Sequence, residues 1–219
     1  MSTCYNFTIS FSSLALAQKK CKYIHLSSAA VYGNPEYLPI KEEHTLHPLS
    51  PYGWHKLISE NLCREYTSIY DLRTAIVRPF SIYGPGLRKQ LFWDLFKRTQ
   101  EMEMVEIYGT GKESRDFLYV SDLVRAVEII INKSELNGSI YNLASGTEKT
   151  IEDVVEIYFN ALGFKGQYEF NGKGRAGDPL NWRADIQKMI QLGFQPSVSI
   201  GDGLQEVAVW MNRVASVDK

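Results

Sequence analysis

Apolar side chains fall three to four residues apart in some stretches of this chain and two apart in others, and the switching between these spacings predicts helices and strands in turn. A helix over Phe7 to Lys20 leads into a short strand, Tyr23 to Ser27. A loop carrying Pro35, Pro39, Pro48 and Pro51 separates that strand from a helix over Tyr52 to Tyr70, whose apolar face is expected to hold Leu57, Ile58, Leu62, Tyr66 and Ile69. Strand Thr74 to Val77 stops at Arg78-Pro79. There follow a helix over Lys89 to Glu101, a strand Val105 to Tyr108, a glycine turn Gly109-Thr-Gly111, a strand Phe117 to Val120 and a helix Asp122 to Asn132. Strand Ser139 to Leu143 precedes a helix that Thr150 can cap, with Asp153 placed to reach back, and two short helices close the chain. This alternation predicts α/β architecture with a mainly parallel sheet, completed by a smaller α/β lobe from about Leu87 onwards.

Composition narrows the function. The 219 residues are 44% hydrophobic and 22% charged, enough to bury one sizeable core or two small ones. A formal net charge of -1 offers no electrostatic footprint for nucleic acid or an acidic membrane surface, so a small-molecule partner is expected. The three cysteines, Cys4, Cys21 and Cys63, are odd in number and lack ligand spacing; they read as reduced packing residues of a cytoplasmic protein, with no metal site. No apolar run approaches the ~18 residues that span a bilayer, and no basic segment precedes the first apolar residues.

The candidate chemistry lies in Ser28 after a strand, Tyr52 opening the next helix, and Lys56 one turn later. The i,i+4 relation sets the phenol and the ammonium on one helix face. A tyrosine with an ordinary pKa of ~10 is a poor base at neutral pH, but an adjacent lysine cation stabilises its phenolate, which makes the pair a proton shuttle. The serine hydroxyl can donate to the same substrate oxygen and orient it. The YxxxK spacing alone is weak, since a solvated lysine one turn from a tyrosine is common on amphipathic helices.

The surroundings are more specific. Ser27-Ser-Ala-Ala-Val-Tyr-Gly33 and Ser50-Pro-Tyr-Gly-Trp-His-Lys56 resemble the SS(S/A)xVYG and SPYxxxK motifs of the NAD-dependent epimerase/dehydratase family, the extended short-chain dehydrogenases/reductases, and most closely those of UDP-galactose (UDP-glucose) 4-epimerases. Arg78-Pro-Phe-Ser-Ile-Tyr-Gly-Pro-Gly86, Ile107-Tyr-Gly-Thr-Gly-Lys-Glu-Ser-Arg-Asp-Phe117, Tyr141-Asn-Leu-Ala-Ser-Gly146 and Arg175-Ala-Gly-Asp-Pro179 are similar in the same order. The resemblance implies a Rossmann-like, NAD-binding parallel sheet over residues 1–86 and a nucleotide-sugar-binding lobe over 87–219, with strand 139–143 returning to the sheet. It makes Tyr52 the catalytic base and acid, Ser28 its hydroxyl partner, and Lys56 a ligand of the nicotinamide ribose. Pro79 to Ile82 would line the nicotinamide, with Ser81 near the sugar where close relatives often carry Asn. Tyr108 would stack on the nucleotide base, Arg115 and Arg175 hold the diphosphate, and Asp178 accept from the ribose. Ala29-Ala30 stands where dehydratases carry an acidic residue, so the resemblance implies epimerisation through a 4-keto sugar.

Read from the residues alone, Arg115-Asp116 is equally a surface ion pair, Arg175 and Asp178 ordinary loop residues, and Tyr108 a core aromatic at a strand end. Family members begin with a strand and a glycine-rich turn that lays the NAD pyrophosphate on a helix N-terminus. The one literal GxGxxG, Gly172-Lys-Gly-Arg-Ala-Gly177, runs into Asp178-Pro179, where proline blocks the helix the motif requires. The expectation is therefore an incomplete Rossmann-like domain with weak NAD binding and an uncovered sheet edge, and self-association or a complementing chain to cover it. The alternatives to an epimerase on a UDP-sugar are a non-catalytic nucleotide-sugar-binding module and a vestigial self-associating fragment.

Overall fold

The computed structural model describes residues 21–174 and 180–217. The helix expected over Phe7 to Lys20, and Arg175 and Asp178, lie outside the described residues. In chain order, β1 (Lys22–Leu26), a 3-10 turn (Ala29–Val31), α1 (Pro51–Tyr70), β2 (Arg73–Pro79) and β3 (Ser81–Tyr83) come first. They are followed by α2 (Gln90–Glu101), β4 (Met104–Ile107), β5 (Ser114–Tyr119), α3 (Val120–Lys133) and β6 (Asn137–Leu143). The last elements are β7 (Glu148–Thr150), α4 (Ile151–Leu162), β8 (Gln167–Phe170), α5 (Gln187–Gln191) and α6 (Ile200–Val217).

β2 is the centre of a parallel three-stranded sheet, with β1 on one side and β6 on the other. Its seven residues RTAIVRP are buried on both faces from Thr74 to Arg78, as a strand covered by helices on each side requires. Strand parity divides them. Ala75 and Val77 join Ala126 and Ile130 of α3, Leu143 of β6 and Met189 of α5 in one core. Ile76 packs with Cys63 of α1 and Leu72, and Thr74 faces Thr67 of α1 through a hydroxyl contact of 2.5 Å. Arg78 has the same parity as Thr74 and Ile76, so the strand delivers its guanidinium to the α1 side.

A second body is built on β3-β5-β7 and on the parallel pair β4-β8. Its core joins Phe92, Leu95 and Phe96 of α2, Val154, Val155 and Tyr158 of α4, and Leu204, Val207 and Met211 of α6. The expected capping box is present: Thr150 Oγ1 accepts from Asp153 N at 3.1 Å and Asp153 Oδ2 accepts from Thr150 N at 3.3 Å.

Several expectations are corrected. α1 does not set Ile58 and Ile69 against the sheet: these are exposed with Trp54 and Tyr70, and the buried positions are Gly53, Ser59, Glu60 and Cys63. Polar residues win that face because Thr74 and Arg78 on β2 need partners there. The closing helices are not both short, since α6 runs for 18 residues. Short strands β3, β7 and β8 carry too few residues for a periodic signal. Cys63 is a packing residue, but Cys21 is exposed.

Candidate active site

The C-terminal ends of β1 and β2 and the N-terminus of α1 meet at one place. Beyond Leu26 the chain turns at Ser28, which caps the 3-10 turn: its Oγ accepts from Ala30 N at 3.2 Å, leaving the O–H proton for another acceptor. α1 starts with Ser50 as cap, its Oγ accepting from Gly53 N at 3.2 Å, and Pro51 in the first turn with its φ already helical. Tyr52 is thereby held in the first turn and is 56% exposed. Gly53 sits so near the 3-10 turn that a Cβ there would lie 2.6 Å from Ala30 O.

Lys56 leans the other way. Its Nζ donates to Leu26 O at 2.7 Å and stands 5.7 Å from the centroid of the Tyr52 ring. Burial holds its pKa below the ordinary lysine range, and the Glu60 carboxylate pulls in the opposite direction.

Ser28, Tyr52, Pro79, Ser81, Ile82, Tyr108 and Arg115 all line one cavity of about 1070 Å³ between the two bodies. The structure thus brings together seven of the ten expected site residues around one cavity. Lys56 is adjacent, and Arg175 and Asp178 lie outside the described residues. Tyr108 is 47% exposed at the end of β4, so it is not a core aromatic. Arg115 and Asp116 do not form a surface pair, because strand alternation sends them to opposite faces and Asp116 is fully buried. Arg115 Nη1 donates to Ser114 O at 2.8 Å and Leu180 O at 3.2 Å, with the guanidinium 5.8 Å from the Trp182 ring centroid.

Asp116 anchors the wall from behind. Its Oδ1 accepts from Ser145 N and Ser145 Oγ, both at 2.7 Å, and its Oδ2 accepts from Gly146 N at 3.0 Å and Ala184 N at 3.1 Å. Burial pushes its pKa up to about 6 even against those donors. The segment it fixes carries Trp182, whose Nε1 donates to Gly33 O at 3.1 Å and whose ring meets Phe80 at 5.7 Å.

Under the serine turn lies a buried polar hub. Arg78, 1% exposed, donates from Nε to Glu60 Oε1 at 2.9 Å and from Nη2 to Glu60 Oε2 at 2.7 Å. Its Nη1 donates to Tyr32 Oη at 2.8 Å and Glu42 O at 2.9 Å. Ser27 Oγ donates to Glu60 Oε1, and Tyr32 Oη donates to Asn142 Oδ1 at 2.7 Å. Removing one partner of such a pair leaves a buried charge uncompensated, at a cost of about 3–5 kcal/mol.

Glu60, Trp182, Lys89 and Arg98 were not singled out in the sequence. For Glu60 a signal existed: Tyr52, Lys56 and Glu60 follow one another at i,i+4 on α1. Trp182 and the wall cations Lys89 and Arg98 had none: Trp182 sits in a loop, and the periodicity of the helix beginning near Lys89 marks its apolar face but not where its cations point.

Comparison with known proteins places the chain in a family and a fold. The NAD dependent epimerase/dehydratase family matches residues 5–144. A putative UDP-glucose 4-epimerase of Methanocaldococcus jannaschii is 32% identical over 190 residues, covering 84% of this chain and 61% of the relative. An uncharacterised UDP-glucose epimerase of Bacillus subtilis is 33% identical over 192 residues, covering 87% of this chain and 60% of the relative. The chain therefore spans about three-fifths of the length of these curated relatives. The crystal structure of UDP-glucuronic acid 4-epimerase from Bacillus cereus, in complex with UDP-glucuronic acid and NAD, superposes with a TM-score of 0.85 at 29% identity over 95% of this chain and 68% of that one.

Proposed function

The chain belongs to the NAD dependent epimerase/dehydratase family, and on that premise we propose that it serves the 4-epimerisation of a UDP-sugar, with Tyr52 as the proton-transferring group. The observation that carries this reading is the shared cavity, which Ser28 and Tyr52 of the first body line together with Tyr108 and Arg115 of the second. Its volume of about 1070 Å³ is ample for a nucleotide sugar. In this reading Tyr108 stacks on the base, and Arg115, with Arg175, meets the diphosphate. Ser28 donates to the sugar hydroxyl oxygen while Tyr52 removes its proton and later returns it, and Lys56 supports the phenolate.

NAD, when bound, supplies the acceptance and return of hydride. The residues near Tyr52 suit its nicotinamide end: Pro79 and Ile82 offer a mixed apolar wall, and the Lys56 ammonium stands ready to leave Leu26 O for a ribose hydroxyl. Among the described residues no strand leads through a GxGxxG turn into a helix, so the diphosphate end has no counterpart among them. Epimerisation is favoured over dehydration because Ala29 and Ala30, which form the turn after Ser28, hold no group that could move a second proton.

We further propose that the chain self-associates through the exposed α1 face or pairs with a complementing chain. No helix among the described residues is long and apolar enough to cross a membrane. The free thiols of Cys21 and Cys63 support a cytoplasmic location.

The test is a pair of calorimetric titrations, with UDP-glucose and with NAD, followed by assay of sugar interconversion. Binding of both, with turnover reduced by at least about a hundredfold in Tyr52→Phe, is the expected result. Binding of UDP-glucose with no turnover under saturating NAD would favour the second reading, a nucleotide-sugar-binding module. Absence of binding to UDP-glucose and to NAD alike would overturn both.

A further inference from the structure

Residues 180–185 form a strap that is hydrogen-bonded on both sides. Towards the second body, Leu180 O accepts from Ser114 N at 3.1 Å and Trp182 N donates to Ser114 O at 3.2 Å. Towards the first, Arg183 O accepts from Ile40 N at 2.7 Å and Asp185 N donates to Ile40 O at 2.8 Å, in the loop between the 3-10 turn and α1. Trp182 stands midway along the strap, half-buried, and lines the cavity. We propose that Trp182 is a positioning residue that joins the serine turn to Arg115, so that one side chain sets the reactive and the anion-holding ends of the cavity together.

The N–H of the indole serves the serine turn. Nε1 donates to Gly33 O at 3.1 Å, at the end of the turn that begins with Ser28. Gly33 has a φ of +67° and lies against His47 O, 2.0 Å from where a Cβ would stand, so the backbone has no slack there. The other end of the turn is held within the first body, where Ser27 Oγ donates to Glu60 Oε1. Loss of the indole N–H therefore loosens the Gly33 end alone.

The ring serves Arg115. It meets Phe80 at 5.7 Å in an edge contact that fixes its tilt, and the Arg115 guanidinium lies over it at 5.8 Å, within the range at which a cation is drawn to an aromatic face. Arg115 Nη1 bonds Ser114 O and Leu180 O, the carbonyls of the strap pairing itself, so the arginine lies along the strap with Trp182 as its backing. Simple core filling does not account for this placement. Ala184 and Ile186 of the same segment are the buried core members, and Trp182 packs at their margin.

The inference rests on the reading of Arg115 as a ligand of the diphosphate, and its test separates the two without requiring turnover. UDP is titrated calorimetrically into the full chain, and hydrogen exchange of the peptide spanning residues 28–33 is followed by mass spectrometry. Trp182→Phe keeps an aromatic face and drops the N–H: UDP affinity is expected to stay within about twofold of wild type while the peptide exchanges about tenfold faster. Trp182→Leu removes the face as well and is expected to weaken UDP binding about fivefold. In an Arg115→Gln background the same Trp182→Leu change should cost no further affinity, because Trp182 acts through the guanidinium. An equal loss in both backgrounds overturns the proposal, as does unchanged exchange of residues 28–33 in Trp182→Phe. If Trp182→Leu does not fold while Trp182→Phe matches wild type in both measurements, Trp182 is a packing residue and the proposal falls. Wild-type UDP affinity left unaltered by Arg115→Gln would sink the diphosphate reading instead, and the exchange measurement would then decide the tie to Gly33 by itself.

Discussion

His25 and Asp116 are both buried and pull the stability of this protein in opposite directions over the same pH range. Burial holds His25 down to about 4 from its usual 6.5, with Lys56 adding to the effect. A depressed histidine favours the folded state above pH 6.5, and that contribution is lost as pH falls towards 4. Asp116 is pushed up to about 6, so it favours folding below pH 4, and its contribution is lost as pH rises through 6. Each shift is worth about 3 kcal/mol at most, so the two nearly cancel and leave a flat profile from these residues. Replacing His25 by Phe removes one arm only. Denaturant unfolding at pH 7 and pH 4.5 should then show His25→Phe gaining roughly 2 kcal/mol relative to wild type on acidification. Parallel pH profiles for the two proteins would mean that His25 does not titrate between them.

At the scale of elements, α1 and the serine turn act as one unit, and Gly53 is where they touch. Its Cβ is absent because Ala30 O and Pro48 occupy the space, the latter at 3.0 Å from where a Cβ would stand. Gly53→Ala must therefore push the first turn of α1 away from Ala30, and Tyr52 moves with it, away from Ser28. Overpacking of this kind costs about 1–3 kcal/mol. The melting temperature should fall by several degrees with helical content kept, and turnover should fall further than stability alone accounts for. Equal melting temperatures and equal turnover would show that the junction tolerates the shift. The sequence made this unit legible through Ser28, Tyr52 and Lys56, since a strand end followed by a capped helix fixes where those side chains begin. It did not reveal which face of α1 is buried. Helical periodicity ranks Ile58 and Ile69 above Glu60 and Thr67 for burial, and only the parity of β2, which sends Thr74 and Arg78 to the α1 side, reverses the ranking. Trp182 was illegible for a different reason: its place is set by Asp116 through hydrogen bonds across 68 residues to Ala184 N, a long-range tie that no local pattern records.

Over the whole molecule, the polar inner face of α1 leaves an apolar outer one. Trp54, Ile58, Ile69 and Tyr70 are each about half exposed or more, and they recur along a helix of 20 residues, which gives a stripe long enough for a second helix to lie on. The proposed self-association would use this face, a two-fold contact letting the same residues on each copy cover the other. β1 adds to the tendency, since among the described residues it pairs only with β2 and exposes Leu26. The two surfaces can be separated. Ile58→Lys places a charge in the middle of the α1 stripe without touching the sheet edge, and sedimentation over a hundredfold range of concentration should then convert a wild-type dimer to monomer. If the variant still associates while a charge at Leu26 abolishes association, the sheet edge is the contact and α1 is not. A wild-type protein that sediments as a monomer at every concentration would remove both surfaces from the argument and leave the exposed stripe to a different partner.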